Sequence, residues 1–142
     1  MTRANPKLRD FAERLIAYEM KGKNSADTKT PTAFLVSLKL RPSLATLMGS
    51  AGFHALLSRA LALASAQVPW LRVVHVRADG SFEGLHPFGL QRDADQIVEG
   101  GVIVLAQLLG LLVAFIGEDL TLRLVREVWP KLSLNSLDAG RR

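Results

Sequence analysis

The most constraining feature of this sequence is the apolar run Val102 to Ile116. Only Gln107 and Gly110 interrupt its fifteen residues. A helix that is apolar on nearly all sides has to be covered on most of them. The run is therefore either the buried helix of a soluble bundle or a segment made for a membrane. This choice determines the fold class.

The length and the flanks of the run favour burial in a protein core. Fifteen helical residues span about 22 Å, which is less than the roughly 30 Å hydrocarbon core of a bilayer. Glu99 precedes the run, and Glu118 and Asp119 follow it. Neither end of the run has the cluster of Lys and Arg residues that flanks membrane spans. We therefore expect a buried helix over about 96–116, and membrane partners are disfavoured.

Small residues recur at every fourth position of this helix, at Ala106, Gly110 and Ala114. Residues four apart lie on one face, and small side chains there allow another helix to approach closely. The stripe predicts a packing seam in a soluble core. A membrane dimerisation motif is the alternative interpretation.

Apolar spacing and capping residues predict the other elements of a mainly helical bundle of about five helices. The helical pattern is interrupted at Gly49, Pro69 and Gly117. Gly117 is either a break between two helices or a kink in one long helix. Asn5 caps the first helix, and Asp93 with Gln96 forms a capping box before the central one. The predicted segments cover residues 6–20, 33–40, 43–48, 53–68 and 118–129.

The stretch 71–85 departs from the helical pattern. Residues 71–77 are rich in β-branched side chains and partly alternate, and 78–80 read Ala-Asp-Gly, a turn signal. The literal interpretation is a small β-hairpin near 71–85, and a loop is the alternative. Two strands this short need to lie on the helices to be stable.

The length of 142 residues is sufficient for one domain, so we expect a single helical domain over 1–142. Residues 1–4 and 131–142 are expected to fray, and the polar stretch 22–31 is expected to form a mobile loop. The sequence contains no cysteine, which removes disulfides, thiol catalysis and Cys-containing zinc sites. The N-terminus has no apolar signal segment, and we expect a cytoplasmic protein.

Positive charge is concentrated in the first half of the chain. Residues 1–77 contain twelve Lys/Arg and four Asp/Glu, whereas residues 78–142 contain six and nine. The asymmetry indicates either an anionic partner for the first half or two halves that attract one another. The second interpretation is favoured, because the basic residues are scattered.

One arrangement of these charges keeps nucleic acid as an alternative partner. Ala45 and Gly49, between two helical segments, resemble the core of a helix-turn-helix, and Lys39, Arg41 and Arg59 flank them. These three residues are the candidate surface for an anionic partner. The following helix begins Ala51-Gly-Phe-His-Ala, which offers apolar groups where base-reading side chains are needed.

The sequence shows no catalytic, metal-binding or cofactor-binding motif. His54, His75 and His86 fall in unrelated segments without metal-ligand spacing. The nearest approach to a cluster is His75 and His86 with Asp79 and Glu83 around the predicted hairpin, and solvated loop residues are the favoured interpretation. We therefore expect no cofactor and no enzymatic activity.

The functional hypothesis from sequence is a non-enzymatic protein-interaction or regulatory module that self-associates. The chain is small and the helix is very apolar, so a second copy of the chain would help to cover the apolar surface of the helix. We therefore expect a homo-oligomer or a protein partner. A nucleic-acid-binding regulator that uses the basic N-terminal half is one alternative. A membrane-active protein that exposes 102–116 is another.

Overall fold

The chain folds into a mainly helical structure, as the sequence predicts. A computed structural model describes residues 6–21, 32–78, 81–83 and 94–130, and 86% of these are helical. The tails 1–4 and 131–142, the loop 22–31 and the caps at Asn5 and Asp93 lie outside the described residues. In the described part, the α-helices are α1 (Pro6–Lys21), α2 (Thr32–Leu38), α3 (Arg41–Gln67), α4 (Ala94–Ile116) and α5 (Glu118–Val128).

Helix α4 is the centre of the fold and packs against α1, α2, α3 and α5. Every residue from 100 to 109 is buried, which confirms the predicted buried helix. Its apolar part is longer than expected from the run 102–116, because Ile97, Val98 and two glycines extend it. The 22 residues Asp95–Ile116 are long and apolar enough to cross a membrane, so the length argument against a membrane span is wrong.

Two adjacent glycines in α4 allow its neighbours to approach closely. A Cβ atom built on Gly101 would lie 2.5 Å from the Cβ of Ala33 and 2.8 Å from its carbonyl oxygen. A Cβ atom on Gly100 would lie 2.8 Å from the ring of Trp70. Since real Cβ atoms do not approach other atoms so closely, glycine at both positions is required for the contact with α2 and Trp70.

The predicted seam of small residues is covered only in part within this chain. Ala106 is fully buried. A Cβ atom on Gly110 would lie 3.6 Å from Cδ1 of Leu8 in α1, an ordinary van der Waals separation. Ala114 is exposed. Of Gly101 and Gly110, the closer contact with a neighbouring helix therefore lies at Gly101, about one and a half turns before the predicted seam, and the seam opens to solvent at its far end.

Two glycines with positive φ set the directions of the helices. Gly49 (φ 81°) kinks α3, so the predicted segments 43–48 and 53–68 form one element bent at the expected residue. Gly117 (φ 89°) separates α4 from α5, which settles the break-or-kink alternative in favour of a break. The Thr121 hydroxyl donates to the Gly117 carbonyl at 2.8 Å and stabilises the first turn of α5.

The predicted hairpin near 71–85 is present but smaller. Residues Pro69–Val73 form a 3₁₀ helix in place of the expected strand, because Pro69 has the φ that starts a helical turn and Leu71 is buried. Strand β1 (His75–Val76) pairs antiparallel with β2 (Phe82–Glu83). The ring of Phe82 packs edge-on against Phe34 of α2, with centroids 5.4 Å apart, which holds the hairpin on the helices.

The close approach at Gly101 predicts a position-specific cost for a methyl group. Gly101→Ala should lower the free energy of unfolding by about 1–3 kcal/mol, because the new Cβ overlaps the Ala33 backbone. Gly110→Ala is the matched control and should be neutral or stabilising by up to about 1 kcal/mol, since Ala has the higher helix propensity. Urea unfolding of both variants measures the difference. Equal stabilities of the two variants would contradict the described packing.

Candidate functional site

The three basic residues of the candidate anionic-partner surface lie in the turn before α3 and on α3 itself. Lys39 lies in the turn between α2 and α3, where its Nζ donates to Glu19 at 2.8 Å. Arg41 begins α3 and is exposed. Arg59 is also exposed and lies on α3 beyond the kink at Gly49. The nucleic-acid alternative stays a prediction.

A buried carboxylate joins three parts of the fold. Glu19, near the end of α1, is only 7% exposed. Its Oε2 accepts hydrogen bonds from Lys39 Nζ at 2.8 Å and from the indole Nε1 of Trp129 at 2.6 Å. The buried charge is therefore paired and hydrogen-bonded, as burial requires. Trp129, immediately after α5, is itself buried, so the cluster fastens the end of α5 to α1.

The position of Glu19 in the sequence is a sign of this cluster, although it belongs to no catalytic or metal-binding motif. Glu19 lies three and four residues after Ile16 and Leu15, which are both buried, and so occupies the apolar stripe of α1. A carboxylate at such a position indicates a buried partner. The partners could not be identified from sequence, because Lys39 and Trp129 are 20 and 110 residues away.

Other charges of the first half pair with charges of the second. Arg9 of α1 contacts Glu99 of α4 at 2.7 Å and Glu13 at 3.3 Å. Partial burial lowers the pKa of Arg9, but hydrogen bonds and attraction from Glu99 and Glu13 raise it more, so the net shift is upward. Arg77 and Glu83 lie 4.0 Å apart across the hairpin. These pairs support the interpretation that the two halves attract one another.

The end of α4 exposes apolar surface. Phe115 is 73% exposed, Ala114 is exposed and Leu111 is half-buried. These three residues lie on one face of the helix, because they are spaced by three and four positions. We call them the α4 patch. An exposed aromatic ring on an apolar face is typical of an interaction surface.

The histidines serve structural contacts where the structure describes them. His54 Nε2 lies 3.3 Å from the carbonyl oxygen of Val76 and joins α3 to β1. His75 lies opposite Glu83 in the hairpin, whereas Asp79 and His86 lie outside the described residues. Among the residues that are described, no three His, Cys, Asp or Glu side chains are placed to share a metal ion.

Two grooves border α5. One of about 160 Å³ lies between α1, α4 and α5 and has mainly apolar walls, with Lys7, Glu118 and Thr121 in its lining. The other, of about 500 Å³, lies between the start of α3 and α5 and contains the exposed Leu47. The Thr121 hydroxyl is committed to the Gly117 carbonyl. Among the described residues, neither lining contains a histidine or a pair of carboxylates for acid–base chemistry.

Comparison with known proteins gives no further guide to these surfaces. No protein-family model, curated protein or solved structure matches the chain. The functional hypotheses therefore depend on the described side chains alone.

The Glu19 cluster predicts that Lys39 stabilises the fold. Lys39→Met should lower the free energy of unfolding by about 2–3 kcal/mol, below the 3–5 kcal/mol of fully buried pairs, because Trp129 still donates to Glu19. Arg59→Met is the control with the same change of charge at an exposed site, and should change stability by less than about 0.5 kcal/mol. Urea unfolding at neutral pH measures both. A Lys39 variant as stable as the Arg59 variant would exclude the proposed role.

Proposed function

We propose that this chain is a non-enzymatic protein-interaction module that self-associates through the α4 patch. The observation that supports the proposal is the 73% exposure of Phe115 on an apolar helix face. Aromatic anchors of this kind dominate the binding energy of protein interfaces. Burial of the ring by a partner would cover the end of α4 that the described part of the chain leaves open.

The charges that follow the patch favour a second copy as the partner. Helix α5 begins with the exposed acidic residues Glu118 and Asp119, the exposed Arg123 and Arg126 follow, and the exposed Glu127 comes after them. Two copies related by a twofold axis perpendicular to α5 place their α5 helices antiparallel. The acidic start of α5 in one copy then lies towards the basic part of α5 in the other, which is complementary.

The seam of small residues supports the same arrangement. Gly110 is covered by Leu8 of its own chain, whereas Ala114, one turn later, is exposed. A small side chain beside Phe115 allows a second helix to approach closely while the ring packs against it. The uncovered end of the seam is therefore the natural contact for a second copy.

The proposal predicts a loss of self-association when the ring is removed. Phe115→Ser should weaken the dimer by about 2–4 kcal/mol, the cost of truncating an interface anchor. Val73→Ser is the control, because Val73 is also an exposed apolar residue but lies on the 3₁₀ helix, away from α4. Sedimentation analysis over micromolar concentrations measures both variants. A monomeric parent protein, or equal effects of the two variants, would overturn the proposal.

A charge exchange refines the same experiment. Asp119→Arg should weaken the dimer, and the double variant Asp119→Arg with Arg123→Asp should recover it, because the exposed charges of α5 are then complementary again. Recovery is specific to a twofold contact along α5. A double variant as weak as the single one would limit the interface to the α4 patch.

A second candidate function is conditional insertion into a membrane. Two described helices, Arg41–Gln67 and Asp95–Ile116, are long and apolar enough to cross a bilayer by length and composition alone, and Gly49 kinks the first of them. They also pack against each other, so they could insert as a pair. In the most apolar 18-residue window of each helix, 33% and 61% of the residues are buried in the fold, and α4 must lose that cover before it meets lipid.

The membrane candidate predicts leakage of dye-loaded anionic vesicles. Leakage at pH 5 and at pH 7 should exceed that of phosphatidylcholine vesicles, because the net charge of +5 attracts the protein to an anionic surface. Phosphatidylcholine vesicles are the uncharged control. Absence of leakage and of vesicle binding at both pH values would exclude this candidate.

A further inference from the structure

Helix α5 is joined to α4 through a single residue, Gly117, which has the bonding pattern of a hinge. Its N–H donates to the Val113 carbonyl at 2.9 Å and so belongs to the last turn of α4. Its carbonyl accepts from the amide and the hydroxyl of Thr121 at 3.1 and 2.8 Å and so belongs to the first turn of α5. The φ and ψ bonds of Gly117 lie between these two groups. Rotation about them therefore turns α5 relative to α4 while these hydrogen bonds are kept.

The surroundings of α5 leave room for such a rotation. A Cβ atom built on Gly117 would meet no atom of the described part of the chain within 4 Å, and glycine has access to many backbone conformations. Helix α5 packs most extensively against α4. A groove of about 160 Å³ separates part of it from α1, and one of about 500 Å³ lies between it and the start of α3. Both sides of α5 are therefore only partly filled by neighbouring helices.

The far end of α5 is fastened to the rest of the fold. The ring of Trp129 is buried, and its Nε1 donates to Glu19 of α1 at 2.6 Å. Lys39 holds the same carboxylate at 2.8 Å, so the acceptor is charged and the bond is stronger than one between neutral groups. Between the hinge and this bond, Leu122 and Val125 are buried. The closed position is therefore the stable one.

We propose that α5 is a lid that opens as a unit about Gly117, and that the hydrogen bond from Trp129 to Glu19 is its latch. Opening removes one wall of the groove that contains Val113 of α4. Val113 and Phe115 are two residues apart and lie on opposite faces of the helix. The lid thus controls a different face of α4 from the α4 patch, and the proposal does not depend on self-association. Elements of this size can open separately from the rest of a fold.

Hydrogen exchange of the full chain, followed by NMR at increasing urea concentrations, tests the lid. In the parent protein, amides 122–128 of α5 should exchange faster than amides 56–64 of α3. Their exchange should also depend less on urea, because lid opening exposes less surface than unfolding of the whole chain. Equal rates and equal urea dependence in the two helices would overturn the proposal. This comparison needs no variant, so it does not depend on the folding of one.

A matched pair of tryptophan variants tests the latch. Trp129→Phe should speed exchange of the α5 amides at least about tenfold, because it removes a hydrogen bond to a charged group that opening breaks. Trp70→Phe is the control, since Trp70 lies against Gly100 of α4 and Phe34 of α2, and opening of α5 leaves both contacts in place. The control should therefore leave α5 exchange unchanged. Equal acceleration of α5 by the two variants would overturn the latch.

Fluorescence gives a second measurement of the latch. The chain has two tryptophans, so the Trp70→Phe protein reports on Trp129 alone. In that background, Glu19→Gln should increase quenching of Trp129 by acrylamide, because the open form exposes the ring. Glu99→Gln is the matched control, since Glu99 pairs with Arg9 of α1 and not with α5. Quenching that rises equally in both, or in neither, would overturn the role of Glu19.

Discussion

Burial of α4 is the constraint on which the other helices depend, because its apolar surface extends around most of its circumference. Four helices supply the cover, and each packs directly against it. The cover is closest at Gly100 and Gly101, where the absence of side chains admits Trp70 and the backbone of Ala33. It becomes thinner beyond Gly110, and at Phe115 the side chain is largely in solvent.

Periodicity predicted the helices well, because the helical pattern is a local property of neighbouring residues. It placed α4, the kink at Gly49 and the break at Gly117 near their observed positions. It failed at residues 69–73, where β-branched side chains indicated a strand. There Pro69 and the burial of Leu71 favour a 3₁₀ turn, and burial depends on the tertiary structure.

The candidate sites were less predictable, because they depend on contacts between distant residues. Lys39 looked like a surface cation in the sequence, but it neutralises the buried Glu19. Ala114 looked like part of a closed seam, but it lies where the cover ends.

Self-association and membrane insertion would both cover Phe115, but they make different demands on the fold. A second copy can bury the α4 patch while residues 102–109 keep the cover they have. Insertion requires α1, α2 and α5 to leave α4, and each large apolar side chain uncovered on those helices costs about 1.5–3 kcal/mol in water. The Glu19 cluster resists that separation, because it joins α1 to the end of α5. The intact fold therefore favours the second copy, which uses the patch without rearrangement.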